Sequence, residues 1–227
     1  MKVTAIIPAA GSGKRINAKK QFLELLGKPI IAITVSVFEE CQNIDDIIVV
    51  VGKDDIDLTG KILKAFKKVK HIIEGGDERQ DSVYNGISAI KPESDDDIVV
   101  IHDGVRPLVT KELLAKAVTE VKVSKAAVVG VPAKDTIKTI SNENIILETL
   151  DRKSIWQIQT PQAFKYTVIK EAYERAKKVG YSATDDSKLV ERLGIPVKMI
   201  MGSYQNIKIT TEEDLPIAEA IIKGRGQ

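Results

Sequence analysis

The segments "DIIVVVG" at 46–52 and "DIVVIHD" at 97–103 are apolar at consecutive positions, without the alternation of a strand that has one wet face. A strand apolar on both sides has to be covered on both sides, which is the situation of an inner strand in a largely parallel sheet between two layers of helices. Similar runs stand at 3–7 ("VTAII"), 71–73 ("HII") and 126–132 ("AAVVGVP"), and helical patterns occupy 29–41, 57–68, 81–90 and 110–123. The pattern predicts an α/β layer fold. In such sheets ligands sit beyond the carboxyl ends of the strands, so the loops after Ile7, Ile73 and Ile101 are expected to meet at one crevice.

With 227 residues, 43% of them hydrophobic, the chain can fill one domain over 1–227. The one segment that breaks the α/β alternation is "KDTIKTISNENIILETL" at 134–150, two β-prone stretches around the turn-forming "SNEN". It reads as a hairpin with too few apolar residues for a core of its own, hence an edge flap or an arm that packs on a second protomer. Downstream, "VKMIM" and "IKI" are expected as strands and "TEEDLPIAEAII" as a closing helix, with Thr210 and Glu213 spaced as a capping box.

Charge narrows the choice of ligand. The 34 basic and 32 acidic side chains nearly cancel, so no broad surface for nucleic acid or membrane is implied and any anion specificity must come from local clusters. A single cysteine, Cys41, excludes an intramolecular disulfide, and with only His71 and His102 beside it a histidine/cysteine zinc site is not expected. The first apolar run is interrupted by Pro8, and no apolar stretch reaches membrane-spanning length, so a soluble, cytoplasmic protein is expected.

The loop after the first strand, "PAAGSGKR", fits neither familiar phosphate-binding spacing. A Walker loop ending at Gly13 and Lys14 would need glycine at Pro8 and a hydroxyl residue at Arg15, and the dinucleotide fingerprint would need glycine at Ile16. Backbone N–H groups of a glycine loop can still face a phosphate, with Lys14, Arg15, Lys19 and Lys20 adding charge; the bland alternative is a plain turn with solvated cations. After 71–73 comes "EGGDERQDSV", where Gly75 and Gly76 let backbone approach a ligand and Asp77 and Ser82 can hydrogen-bond it, unless Asp81 or Ser82 simply caps the next helix. In "HDGVRP", Asp103 stands at a strand's carboxyl end as a hard oxygen ligand suited to Mg²⁺ and a polyphosphate, with Arg106 three residues on. His102 beside it has no nucleophilic serine pattern and reads as structural.

Taken in order, "AAGSGKR", "KQFLELLGKPI", "GGDERQDSV", "HDGVRP", "DTIK", "DR" with Trp156, "QTPQAF", "TDD" and "NIKIT" resemble the 2-C-methyl-D-erythritol 4-phosphate cytidylyltransferase family over nearly the whole chain. The resemblance implies a Rossmann-like nucleotidyltransferase sheet with a β-hairpin dimerisation arm, and transfer of CMP from CTP to a polyol phosphate with Mg²⁺ as cofactor. By position it places the catalytic pair on Arg15 and Lys20, and the nucleotide loop on Ala10, Gly11, Gly13 and Lys14. Gly76, Asp77 and Ser82 match cytosine and ribose contacts, Asp103 the metal ligand with Arg106 nearby, and Thr136, Arg152, Thr184 and Lys208 the acceptor site. It also implies a homodimer through the arm. Where relatives carry proline before the catalytic lysine, this chain has Lys19.

Two other enzyme readings share features. A ribitol 5-phosphate cytidylyltransferase has the same glycine loop, "QTPQ" and "NIK", and stands as the alternative, although "DTIK" and the grouping of Asp151, Arg152 and Trp156 favour methylerythritol phosphate. A glycosyltransferase would use "DDD" at 95–97 to bind metal, but those aspartates precede their strand and fall at the wrong edge of the sheet. A nucleotide-binding regulator without turnover is the reading from another class, since fold alone does not establish catalysis.

Overall fold

A computed structural model describes residues 1–11 and 19–226. The expected layers are present. In chain order the elements begin with β1 (Val3–Pro8), the short antiparallel pair β2 (Glu24–Leu25) and β3 (Lys28–Pro29), α1 (Ile30–Glu40), β4 (Asp46–Val51), α2 (Ile56–Ile62) and β5 (Val69–Glu74). There follow α3 (Arg79–Ser88), β6 (Ile98–Ile101), α4 (Lys111–Ser124), β7 (Ala126–Pro132), β8 (Lys138–Ile140) and β9 (Ile146–Thr149). The chain continues through β10 (Trp156–Lys165), α5 (Tyr166–Lys178), α6 (Asp186–Glu191), β11 (Lys198–Met201) and α7 (Asp214–Gly224).

Seven strands form the central sheet in the order β11-β7-β10-β6-β1-β4-β5. Every neighbouring pair is parallel except those of β10, which lies antiparallel between β6 and β7. The chain runs outward from β1 through β4 to β5 and then returns to β6 on the other side of β1. Strand order therefore reverses at β1, and a crevice opens beyond its carboxyl end.

The two-sided burial inferred from the apolar runs is explicit at β1. Ala5 and Ile7 enter a core with Val35 and Phe38 of α1 and Leu114 and Val118 of α4. Ile6 faces the opposite layer, with Val83 and Ile87 of α3 and Ile169 and Tyr173 of α5. A methyl group on Gly86 would stand 2.6 Å from the Ile6 Cγ2, so the glycine lets α3 lie directly on β1. Among the described residues no helix is long and apolar enough to cross a membrane.

Several expectations need correction. The segment "IKI" at 207–209 is not a strand: Ile207 and Ile209 join a separate apolar cluster with Leu25, Leu108 and Ala218, and the segment lies as a strap along the loop after β6. The capping box of Thr210 and Glu213 does not form, because Asp214 takes that place and its Oδ2 accepts from the backbone N–H groups of Thr210 and Thr211. The helix expected over 57–68 ends at Ile62. The hairpin is present as β8 and β9, but both of its strands are exposed along their length.

Candidate active site

The three loops expected at the crevice do meet there. A methyl group on Gly75 would lie 2.5 Å from the Ala10 Cβ and 2.6 Å from the Ser82 Oγ, and one on Gly104 would lie 2.9 Å from the Ala9 Cβ. The Gly104 N–H donates to the Pro8 carbonyl at 3.1 Å. The glycines thus bring the loops after β1, β5 and β6 into backbone contact. Ser82 is buried, and its Oγ accepts from the Gly76 N–H at 3.2 Å and donates to the Glu78 carbonyl, so it braces the turn before α3. The cap itself is made by Glu78 with Asp81, as a capping box. Asp77 is exposed on the same turn.

Asp103 is the electrostatic centre. Its Oδ1 accepts from the Arg79 Nε at 3.0 Å, and its Oδ2 lies 2.8 Å from the Lys208 Nζ and 3.6 Å from the Arg106 Nε. Burial alone would raise its carboxyl; the charges of Arg79, Lys208 and Arg106 outweigh that and hold it well below the usual carboxylate range. Three cations converge on this carboxylate at the carboxyl end of the sheet, one of them, Arg79, paired with Asp186 as well, and cations at that edge suit a polyphosphate.

His102 supports this centre without reacting. Its Nε2 is 3.0 Å from the Arg106 carbonyl, which can only accept, so Nε2 carries the proton. Its Nδ1 then accepts from the Thr160 hydroxyl at 3.0 Å, whose oxygen in turn accepts from the Asp103 N–H at 3.1 Å. Burial pushes the imidazole down to about 4, so it is neutral at physiological pH. The structural reading of His102 holds.

The strap after β11 closes one side. The Ile209 N–H donates to the Val105 carbonyl at 2.9 Å, the Arg106 Nη1 to the Asn206 carbonyl at 2.8 Å, and the Asn206 Nδ2 to the Thr160 carbonyl at 2.8 Å. Lys208 is carried by this strap, and the Lys20 Nζ donates to the carbonyl of Thr210 on the same strap at 2.5 Å. Lys19 turns elsewhere and pairs with Asp55 at 2.5 Å. A cleft of about 410 Å³ is lined by Arg79, Asp103, Arg106, Thr160, Thr184 and Lys208, so four of the residues named from sequence share one wall.

Thr136 and Arg152 stand apart from that cleft, both exposed at the base of the hairpin, where the Arg152 Nη1 donates to the Lys134 carbonyl at 2.8 Å. Ala10 and Gly11 follow β1 into the crevice, whereas Gly13, Lys14 and Arg15 lie outside the described residues. Sequence reasoning missed Arg79, Thr160, Asp186 and Asn206, although each lies in or beside a quoted motif: "GGDER", "QTPQ", "TDD" and "NIK".

As for a divalent cation, no group of three or more histidine, cysteine or acidic side chains among the described residues could hold one. Magnesium, however, is commonly held by one or two carboxylates together with substrate phosphates, and the carboxylate of Asp103 fits that mode.

This geometry belongs to a recognisable family. The family model for 2-C-methyl-D-erythritol 4-phosphate cytidylyltransferase matches residues 3–224. The chain belongs to this family. Proteins of that name from Geotalea uraniireducens and Geobacillus kaustophilus are 47% and 48% identical, covering 98% and 99% of this chain and 97% and 99% of the relatives. Among solved structures, the 4-diphosphocytidyl-2C-methyl-D-erythritol synthase of Anaerococcus prevotii superposes with a TM-score of 0.87 at 36% identity, covering 98% of this chain and 96% of that one. The cytidylyltransferase of Francisella tularensis gives 0.84 at 31% identity, over 97% and 99% of the two chains. The likeness to these solved structures thus extends over nearly all of the chain.

Proposed function

We propose that the protein transfers CMP from CTP to the phosphate of 2-C-methyl-D-erythritol 4-phosphate, giving 4-diphosphocytidyl-2-C-methyl-D-erythritol and pyrophosphate, a step of non-mevalonate isoprenoid synthesis. Family membership supports the reaction, and the observation that carries it at the site is the cluster of Arg79, Arg106 and Lys208 around Asp103 at the switch point of the sheet. The attacking group is a phosphate monoester with a second pKa of about 6, so it is already an anion at neutral pH and needs no general base. An oxygen of that phosphate bonds to the α-phosphorus while the bond from the α-phosphorus to the bridging oxygen of pyrophosphate breaks. The difficulty is charge: an anion must approach a triphosphate, and negative charge builds on the leaving pyrophosphate.

The roles follow from that difficulty. Ala10, Gly11, Gly13 and Lys14 cradle the triphosphate, and Arg15 and Lys20 stabilise the charge that develops in the transition state. Gly76, Asp77 and Ser82 hold cytosine and ribose. Arg106, Thr136, Arg152, Thr184 and Lys208 orient the acceptor and its phosphate. Asp103 would hold Mg²⁺ together with the triphosphate, where the ion would neutralise phosphate charge. The working unit is a homodimer joined through the hairpin arms, and since neither charged substrate crosses a membrane unaided, the proposal places the enzyme with them in the cytoplasm.

Pyrophosphate release measured with CTP and either methylerythritol phosphate or ribitol 5-phosphate, with Mg²⁺ or with chelator, tests the reading. Release is expected only with methylerythritol phosphate and a divalent cation, and poorly when ATP replaces CTP. Turnover with ribitol 5-phosphate alone would establish the alternative acceptor.

A further inference from the structure

Arg79 opens α3, directly after the loop carrying Gly76 and Asp77, and its guanidinium is engaged on two sides. Its Nη1 and Nη2 donate to Oδ1 and Oδ2 of Asp186 at 3.0 and 2.9 Å, a bidentate pair, while its Nε donates to Asp103 at 3.0 Å. Asp186 is the first residue of α6, two positions after Thr184, and is 1% exposed. It also accepts from the hydroxyl of Tyr173 on α5 at 2.5 Å. The chain Tyr173, Asp186, Arg79, Asp103 thus crosses from the helices beside Thr184 to the loop after β6.

We infer that Asp186 and Tyr173 are positioning residues that hold Arg79 as a strut between the acceptor side of the cleft at Thr184 and the triphosphate side at Asp103. This rests on the reaction proposed above. The argument is geometric. A guanidinium is planar, so fixing one edge on Asp186 fixes the direction of the remaining Nε–H, which points at Asp103. Released from Asp186, the same edge could turn onto Asp103, where Lys208 and Arg106 already stand, and draw that carboxylate away from its ligands. The strut therefore limits Arg79 to one hydrogen bond with Asp103.

A buried ion pair is weak evidence of a stabilising role, and this one reaches on to a third group, Asp103, in the cleft. Buried ion pairs are often replaceable by apolar groups of similar size without loss of stability, and α6 already has Leu189 and Val190 in the core to hold it. Tyr173 is suited to its part. Burial and the charge of Asp186 raise its phenol well above the ordinary range, so the hydroxyl remains a donor throughout physiological pH. Arg79 stays charged because the carboxylates of Asp186 and Asp103 outweigh the effect of its burial.

The test compares wild type with Asp186→Asn, Asp186→Glu and Tyr173→Phe by calorimetric Kd for CTP with Mg²⁺ and no acceptor, by kcat and KM for the acceptor, and by Tm. Asp186→Asn should raise the CTP Kd and lower kcat, each by about 10- to 100-fold, as for other groups that orient a ligand-binding carboxylate. Tyr173→Phe, which keeps the ring, should shift both in the same direction by about three- to tenfold, as for loss of one hydrogen bond, and Asp186→Glu should recover part of what asparagine loses. Variants that melt earlier yet keep Kd, kcat and KM within about twofold of wild type would overturn the strut in favour of a stabilising role. If Asp186→Asn does not fold, Tyr173→Phe decides. A wild type that binds CTP but uses another acceptor would refute the proposed reaction while the CTP Kd values still judged the strut, and one that binds no CTP would overturn both.

Discussion

Lys19 and Lys20 are adjacent cations with different partners, and the difference bears on the role proposed for Lys20. Lys19 pairs with Asp55, away from the cleft, whereas Lys20 reaches the Thr210 carbonyl on the strap that carries Lys208. Lys20→Ala should therefore lower kcat by a factor on the order of 10² to 10³, as for loss of one preorganised charge-stabilising donor, with Tm almost unchanged. Lys19→Ala should leave kcat within about threefold and act on Tm instead, because it strips the buried Asp55 of its partner outside the cleft. Reversed results in steady-state kinetics would exchange the two assignments. His102 makes a different expectation, about pH. Its folded value of about 4 lies below the ordinary 6.5, so the unfolded chain takes up a proton first as pH falls. The contribution is fully present above about pH 6.5 and is lost on the way down to about 4, which amounts to about 2 kcal/mol between pH 7 and pH 5. Urea unfolding at those two pH values should show this loss in wild type and a smaller one in His102→Gln. Equal losses in both proteins would mean that another group is responsible.

At the scale of elements, the site depends on loops that touch through glycine. Gly75→Ala would force a methyl group to 2.5 Å from the Ala10 Cβ and 2.6 Å from the Ser82 Oγ, pushing the loop after β1 away from α3. The CTP Kd should rise about tenfold or more, while a calorimetric value equal to wild type would show that the nucleotide does not sit between those loops. The same scale explains what the sequence makes legible. β1, β4, β6 and β7 are readable because their burial on both faces leaves unbroken apolar runs. β10 is not, although it lies inside the sheet, because Gln159, Thr160, Pro161 and Gln162 interrupt its pattern; the register on β7 shifts between Ile158 and Gln162, where the chain serves the cleft. Function has overwritten the apolar pattern there. The alternation of "IKI" misleads for the opposite reason, since Ile207 and Ile209 pack on loops and helices outside the sheet. The loops after Ile7, Ile73 and Ile101 could be assigned to one crevice because ligands sit beyond the carboxyl ends of parallel strands, but the partners within it could not. Arg79 and Asp186 are 107 positions apart, and in the sequence each reads as a solvated charge.

At the scale of the molecule, the hairpin arm is the feature that one chain leaves incomplete. Ile140, Ile145, Ile146 and Leu147 are each more than half exposed on it, and a two-stranded hairpin with both faces in water is marginal at best. Thr136 and Arg152 sit at its base, outside the cleft that Arg79, Asp103, Thr184 and Lys208 share. A two-fold axis would answer both observations, since two arms could cover each other's apolar residues while each carries Arg152 to the partner's cleft, where its planar fork can grip the acceptor phosphate. On that arrangement each site joins Lys20 of one protomer to Arg152 of the other. Subunit mixing distinguishes it from a site built within one chain. A heterodimer of Lys20→Ala with Arg152→Ala would hold one site with both defects and one with neither, so two nearly inactive proteins unfolded together and refolded should regain about a quarter of wild-type activity, half the dimers being mixed and each holding one intact site of two. If both residues come from the same chain, every site in the mixture keeps a defect and activity stays at the level of the single variants. Mass spectrometry would show whether heterodimers had formed, and formed heterodimers without recovery would rule out the shared site, as would a monomer of full activity.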